Sequence, residues 1–480
     1  MILQLMKFDW RNLSADRTPI AVAVILGLAI AYGAWNGSQW AHFQQRTIAE
    51  AQAEERARFD AIRAEIPEIE SGAKKVSAFA DPRLPQSFGR NMGLRYAAMP
   101  PAGLAALAIG QSDLYPYYFK VSTNSKESFA NNDEIENPVH LLAGRFDLAF
   151  VVLYLFPLVI LAFSFNIVSS EKESGTLALA LSQPVSLARI VMAKAGLRAL
   201  FVLVLATVVS IAGVVLGGAN LGAEGIPVLL LLWVAVTAAY GLFWFALAIA
   251  VNAIGRGSAA NAMVLAGLWL LFVIVVPSVL NVAVKAAYPA PSRVEMIQAI
   301  RAAGEDATRK SSQLLARYLE DHPELAPAPQ GTSGPPDFGT LLVAINETTE
   351  RTVRPVLAEF DRQLAAQQAM ADRFRFLSPA VVAQSAFNDL AGTSAHRYNH
   401  FVAQVDRFHK QWRAYFNPRI LRKEMLSAGD LDTVPSFSYQ PEATSAILAR
   451  LTVAFAGLLL PLLLVGVPAV RALRRYPVAG

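Results

Sequence analysis

The chain has 480 residues, 54% of them hydrophobic and 16% charged, with mean hydropathy +0.37 and a net charge of +5. A soluble domain carries about 25% charged residues, and the shortfall lies in six runs of 19 to 29 residues almost free of charge. A purely soluble or disordered chain is excluded, and the lack of any cysteine excludes a disulfide scaffold and zinc–thiolate chemistry.

A helix rises about 1.5 Å per residue, so ~20 apolar residues cross a hydrocarbon core. In chain order the runs predict membrane spans at 18–36, 147–169, 197–217, 226–254, 258–284 and 445–470. The first follows a lead that carries Asp9 and Asp16 and is longer than a secretory signal core, so it reads as an uncleaved anchor. Asp147, Arg198 and Arg450 fall at span ends, where an arginine can snorkel to the interface. Sidedness follows from the short loops. Lys7, Arg11, Arg17, Lys172, Arg189, Lys194, Arg198, Arg256, Arg471, Arg474 and Arg475 share one side, while the opposite short loop, 218–225, has neither lysine nor arginine. Both termini are therefore expected in the cytoplasm, and segments 37–146 and 285–444 outside. The basic balance is an orientation signal and gives no reason to expect a nucleic-acid partner.

Residues 37–66 read as a helix continuing out of the first span, with Phe59, Ile62 and Ile66 at 3,4 spacing, stopped by Pro67. A Pro-broken region follows, with a strand-like stretch at 115–121. The second outer segment is helical in pattern. One helix runs from about 292 to 321 and ends in a Pro/Gly loop, 322–339. A second carries Leu342, Ile345, Thr349, Val353, Val356, Phe360 and Leu364 on one stripe, kinked or restarted at Pro355. A third has Tyr398, Phe401, Val405, Phe408, Trp412 and Tyr415 in a heptad-like seam, which suits packing against a neighbouring helix better than a ligand groove.

Catalytic motifs are absent: the chain has no GxxxxGK[ST], HExxH, CxxC or GxSxG, so no catalytic residue is assigned. His396 and His400, with Asp406 and His409 nearby, are the best metal candidate. The first two face away from the seam, so they read as surface and no metal site is assigned. No ionisable residue lies mid-span, which removes most support for ion-coupled transport. The loop after the second span stands out. In it a charged cluster precedes Gly175, an apolar stretch (Thr176–Leu181), a break at 182–184 and a basic amphipathic stretch. Pro184 suits the first turn of a new helix, capped by Ser182 or Gln183. The apolar stretch either lies in the membrane interface or docks in a cleft on a cytosolic partner. Gly213 and Gly217 have GxxxG spacing, which suits close helix packing or a turn.

The stretch EKESGTLALALSQPVSLARIVMAK (171–194) resembles the coupling-loop signature of ATP-binding-cassette (ABC) type 2 permeases. There an acidic pair precedes Gly-Thr-Leu and a Ser-x-Pro-Val-Ser turn. The stretches GQSDLYPYYFKV (110–121), GRFDLAFVVLYLFPL (144–158) and LSPAVVAQSAFNDLAGTSAHRYNHF (377–401) resemble a subgroup with two large extracytoplasmic insertions of unknown role. The resemblance implies an all-α polytopic membrane protein with six transmembrane helices and two large, mainly helical insertions, with some strand in the first. Its organisation would be 1–36 (N-terminus and first span), 37–146 (first outer domain), 147–284 (four spans with coupling loop 170–196), 285–444 (second outer domain) and 445–480 (sixth span and C-terminus). It implies the permease subunit of an exporter-type ABC transporter in the bacterial inner membrane, not itself an enzyme. Glu171, Glu173, Gly175, Thr176, Leu177 and Pro184 would form the coupling element. Two copies of a separate cytosolic ATPase would bind ATP and Mg, no cofactor being bound by this chain. A second permease protomer, identical or a paralogue, membrane lipid and a periplasmic partner complete the expected contacts. The competing function is a membrane-anchored envelope scaffold or sensor without transport.

Overall fold

The computed structural model describes residues 6–7, 9–11, 18–77, 79–125, 146–183, 185–216, 222, 225–289, 293–321 and 338–476. Among the described residues its regular structure is helical apart from one two-stranded antiparallel hairpin, and six of its helices are long and apolar enough to cross a membrane. The first helix, α1 (Thr18–Glu70), is 53 residues long, which at ~1.5 Å per residue is about 80 Å. Strands β1 (Arg95–Ala98) and β2 (Tyr118–Val121) pair antiparallel, Arg95 opposite Val121. The second span is α2 (Leu148–Glu173), and a short helix α3 (Thr176–Leu181) leads to α4 (Leu187–Leu216) and α5 (Ile226–Ala253). The fifth span is α6 (Ser258–Ala287). Then come α7 (Arg293–Arg309), α8 (Ser311–Asp321), α9 (Phe338–Phe374), α10 (Pro379–Ala391), α11 (Ala395–Arg422) and the last span, α12 (Thr444–Arg474).

Two hydrophobic cores result. The larger one gathers the spans around α5, whose Trp233, Tyr240 and Trp244 are fully enclosed. The smaller joins Phe59, Ile62 and Ile66 of α1 to Phe88, the hairpin residues Phe119 and Val121, and the α11 seam. Helix α1 belongs to both, since its Leu26, Ile30 and Ala34 lie in the first. Pro67 does not stop α1. It sits in the last turn, where its missing N–H costs a single bond, and the helix ends at Glu70 with Ile66 and Ile69 still buried.

Two spans widen into a π turn, at Val151–Leu155 in α2 and Leu271–Val275 in α6, and each lies just before a proline, Pro157 or Pro277. Phe156 N–H and Val276 N–H reach back five residues, to Val151 O and Leu271 O. The wider turn relieves the clash between the proline ring and the carbonyl four residues earlier. The freed carbonyls are met from neighbouring helices. Tyr240 Oη donates to Leu153 O at 2.9 Å, Trp269 Nε1 donates to Tyr154 O at 3.2 Å and Ser378 Oγ donates to Phe272 O.

Several sequence readings need correction. The 292–321 stretch divides at Lys310 into α7 and α8. Helix α9 continues through Pro355, and its apolar stripe is buried only in part: Thr349 and Val353 are inside, whereas Val356 and Leu364 are exposed. The seam of α11 is buried through Phe401, Val405, Phe408 and Trp412 but continues to Phe416, with Tyr415 half-buried. Its partner is not a helix alone. Phe401 stacks on Phe119, Phe416 on Phe88, and Trp412 Nε1 donates to Gly89 O at 3.0 Å. Arg198 and Arg450 do not snorkel; both are paired. Arg450 contacts Asp389 at 3.1 Å and grips Glu442 with two nitrogens at 2.6 and 2.8 Å. Within the 285–444 segment, α10 is an unforeseen element. It is buried in the core of the spans, where Phe387 packs 4.3 Å from Trp233.

Replacing Tyr240 by Phe leaves Leu153 O without its donor in a dry core, a loss of about 1–3 kcal/mol. The expected outcome is a lower Tm for Y240F in detergent or nanodiscs, and an unchanged Tm would show that the π turn needs no outside donor.

Candidate coupling loop

The loop between α2 and α4 is assembled from the end of α2. Gly175 turns the chain at φ +71°, a left-handed conformation that suits glycine. Helix α3 follows with two unlike faces. Leu177 is buried against the core of the spans and Leu181, one turn on, packs at its edge, whereas Leu179 is 74% exposed. The apolar stretch thus neither lies wholly in the interface nor stands wholly free: one face closes the bundle and the other is presented outward. Thr176 Oγ1 donates to Glu171 O at 3.3 Å, and Ser174 Oγ lies 2.9 Å from Thr176 Oγ1. Helix α4 starts at Leu187, where Arg189 N and Ile190 N bond to Ser186 O. The helix start expected at Pro184 therefore lies three residues further on, and Pro184 itself lies outside the described residues.

The acidic pair is engaged inside the chain. Glu171 forms an ion pair with Lys194 of α4. Glu173 caps α6: Ser258 N donates to its Oε1 at 2.6 Å and Ser258 Oγ to its Oε2 at 2.8 Å. A carboxylate on the free N–H groups of a helix N-terminus also meets the positive end of its dipole.

A buried amide cluster, unforeseen in the sequence reading, lies just inside this cap. Asn252 Nδ2 donates to Ser164 O at 3.0 Å, and its Oδ1 accepts from Val168 N at 3.2 Å. Asn261 Nδ2 reaches Phe165 O at 3.3 Å, and Ser169 Oγ meets Ser258 Oγ at 2.8 Å. The end of α2 is unwound at 165–168, so these side chains supply the partners its backbone needs in a dry setting. The available signal was two asparagines near the ends of otherwise apolar runs. Beside the cluster, Arg198 makes a forked ion pair with the buried Asp9, at 3.0 and 3.2 Å, and donates to Phe163 O. That pair ties the N-terminal segment to α4 and α2.

Residues 121–290, which include this loop, match the family model described as ABC-2 family transporter protein. This stretch of the chain is an ABC-2 transporter-family domain, as a permease carries. Residues 293–440 of the permease match a domain of unknown function, DUF3526, spanning α7 to α11. No curated protein matches the chain. The permease is thus a multi-pass membrane transport component with an additional domain inserted before its last span.

Gly213 packs where α4 crosses α1: a Cβ on it would lie 2.4 Å from Ala34 Cβ. Gly217, the other residue of the GxxxG spacing, lies outside the described residues. The histidines do not converge. His400 Nε2 contacts Gln440 O at 3.1 Å and His409 Nε2 contacts Asn124 O at 2.9 Å. Among the described residues, no three His, Cys, Asp or Glu side chains gather as a metal site would require. Burial pushes His409 below the ordinary histidine range, and the Arg413 charge adds to this; the contact with Asn124 O and the carboxylates of Glu350 and Asp406 oppose it.

Glu173→Gln removes the charge but can keep one hydrogen bond to Ser258. The weakened cap predicts faster amide exchange at 174–183 in the permease alone, and unchanged exchange there would show that α3 is held without the cap. For His409, the depressed folded value means that neutral-form stability is complete above the unfolded pKa of about 6.5 and is lost as pH falls towards the folded value. Tm should therefore drop more steeply between about pH 7 and about pH 5 in the parent than in H409Q; equal slopes would remove His409 from the acid response.

Proposed function

We propose that this permease is the membrane subunit of an exporter-type ABC transporter, driven by a separate cytosolic ATPase that binds α3. The observation that carries the reading is the exposed Leu179, held outward by a helix whose other face is built into the bundle. An apolar side chain presented this way suits a cleft on a partner. In this reading Glu171, Glu173, Gly175, Thr176, Leu177 and Pro184 form the coupling element, and the two carboxylates fasten it to α4 and α6 instead of meeting the ATPase. A push on α3 is then transmitted to three spans at once.

The loop and both termini lie in the cytoplasm of a bacterial cell, and the permease sits in its inner membrane, as the distribution of lysine and arginine supports. The hairpin and α7 to α9, with α11, lie outside, with a periplasmic partner as their natural contact. Two ATPase copies, each holding ATP and Mg, serve two permease protomers.

The test is co-purification of a phosphate-loop ATPase from the native host with wild type and Leu179→Asp. A charge in the cleft is expected to cut retention and ATPase stimulation by roughly tenfold or more, with the permease itself melting as before. Full retention by L179D would overturn the assignment, and a wild-type complex lacking any ATPase would favour the envelope scaffold.

A further inference from the structure

A groove of about 460 Å³ opens on the outer surface of the bundle between α4, α5 and α12. Each helix gives it one face. Gly196 and Ala199 come from α4, Ala246 and Ile249 from α5, and Gly466 and Val470 from α12. From Leu462 to Arg474 the groove follows 13 residues of α12, about 18 Å from first to last at helical rise, which is the scale of one acyl chain. No acidic residue lines it, and its polarity is confined to one end, where Arg471 and Arg474 stand. They are three residues apart, so both face the same way from successive turns. Among the described residues neither is held in an ion pair. This is the end of the bundle that carries the Gly255 turn, since a Cβ on Gly255 would lie 3.2 Å from Tyr476 Oη.

We propose that this groove binds an anionic phospholipid, one acyl chain lying between the three helices and the phosphate held by Arg471 and Arg474. An apolar trough at hydrocarbon depth with paired guanidinium groups at one end matches an amphiphile with a single negative head. A free phosphate would use the arginines but leave the trough unfilled. A packing helix from a second copy would fill the trough but give the arginines no anion. The inference needs only that the spans lie in a bilayer, and is independent of the ATPase-coupling reading.

The test uses the full-length permease exchanged into equal amounts of phosphatidylglycerol and phosphatidylcholine of the same chain length, with retained lipid read by native mass spectrometry. Retention of phosphatidylglycerol is expected to exceed that of phosphatidylcholine, by roughly fivefold for each arginine engaged. R471Q/R474Q should bring the ratio close to one. Gly196→Leu, whose added Cβ meets open space, should fill the trough and reduce retention of both lipids without lowering Tm. Equal retention by wild type, a preference untouched by R471Q/R474Q, or normal retention by G196L would each overturn the proposal. So would inorganic phosphate binding lost in R471Q/R474Q while lipid retention stays the same, or a change of oligomeric mass in G196L with lipid retention intact. Failure of the lipid preference with L179D still releasing the ATPase would sink this inference and leave the coupling reading standing.

Discussion

The carboxylate of Glu173 on the N-terminus of α6 fixes where the loop between α2 and α4 can go. Gly175 lies two residues beyond it, and Leu177 then falls directly against the core of the spans. Without that anchor, a six-residue helix would be too short to hold a shape in water. With it, α3 inherits its direction from the bundle, and Leu179 is displayed because Leu177 and Leu181 are not. The same cap brings Ser258 beside Ser169, closing the polar cluster that replaces the missing backbone bonds of α2. Glu171 acts in parallel on α4 through Lys194.

The other governing constraint is that hydrocarbon offers no hydrogen-bond partners, so irregular backbone persists only where the protein supplies them. Three places among the described residues where the spans depart from regular helix follow this rule. The π turn of α2 is answered by Tyr240 and Trp269, that of α6 by Ser378, and the unwound stretch at 165–168 by Asn252 and Asn261. These side chains come from α5, α6 and the residue before α10, so the helices joined by hydrogen bonds are the ones whose backbones need them. Prolines that would weaken isolated helices thereby specify which helices are neighbours.

Much of the membrane architecture was legible because length and lack of charge are properties of contiguous sequence: the starts at Ile226 and Ser258 coincide with the expected ones. The α11 seam was legible for the same reason, as a period within one helix. What could not be read were pairings between distant residues. Asp9 with Arg198, Glu173 with Ser258 and Arg450 with Asp389 are separated by long stretches of chain, and nothing local marks either partner. Helix α10 was missed because 13 residues are too few to cross a bilayer. Its alanines and Phe387 look like any short apolar helix until α5 and α12 close round it. The loop after α2 was legible as a composition, apolar residues between glycine and proline, but its two-faced character depends on which leucines the bundle covers.

The position of α10 bears on how the inner and outer parts of the permease can move together. Helix α12 packs along both α5 and α10, and near its N-terminus Arg450 is paired with Asp389 at the end of α10 and with Glu442 just before α12. Asp389 is buried, so separating it from Arg450 would leave a charge unpaired in a poorly solvated place. An axial shift of α12 must therefore carry α10 with it or break that pair. Helix α10 continues through Gly392, at φ +68°, into α11, whose seam is the spine of the second core. Helix α1 reaches the same core from the other side of the bundle. Two stiff connections of different origin thus join the spans to the outer hairpin, and a relative displacement of α1 and α12 would shear Phe59 and Phe88 against Phe416. The two cores are mechanically linked because α1 runs unbroken from one into the other, while α10 passes to α11 through a turn of only three residues, 392–394.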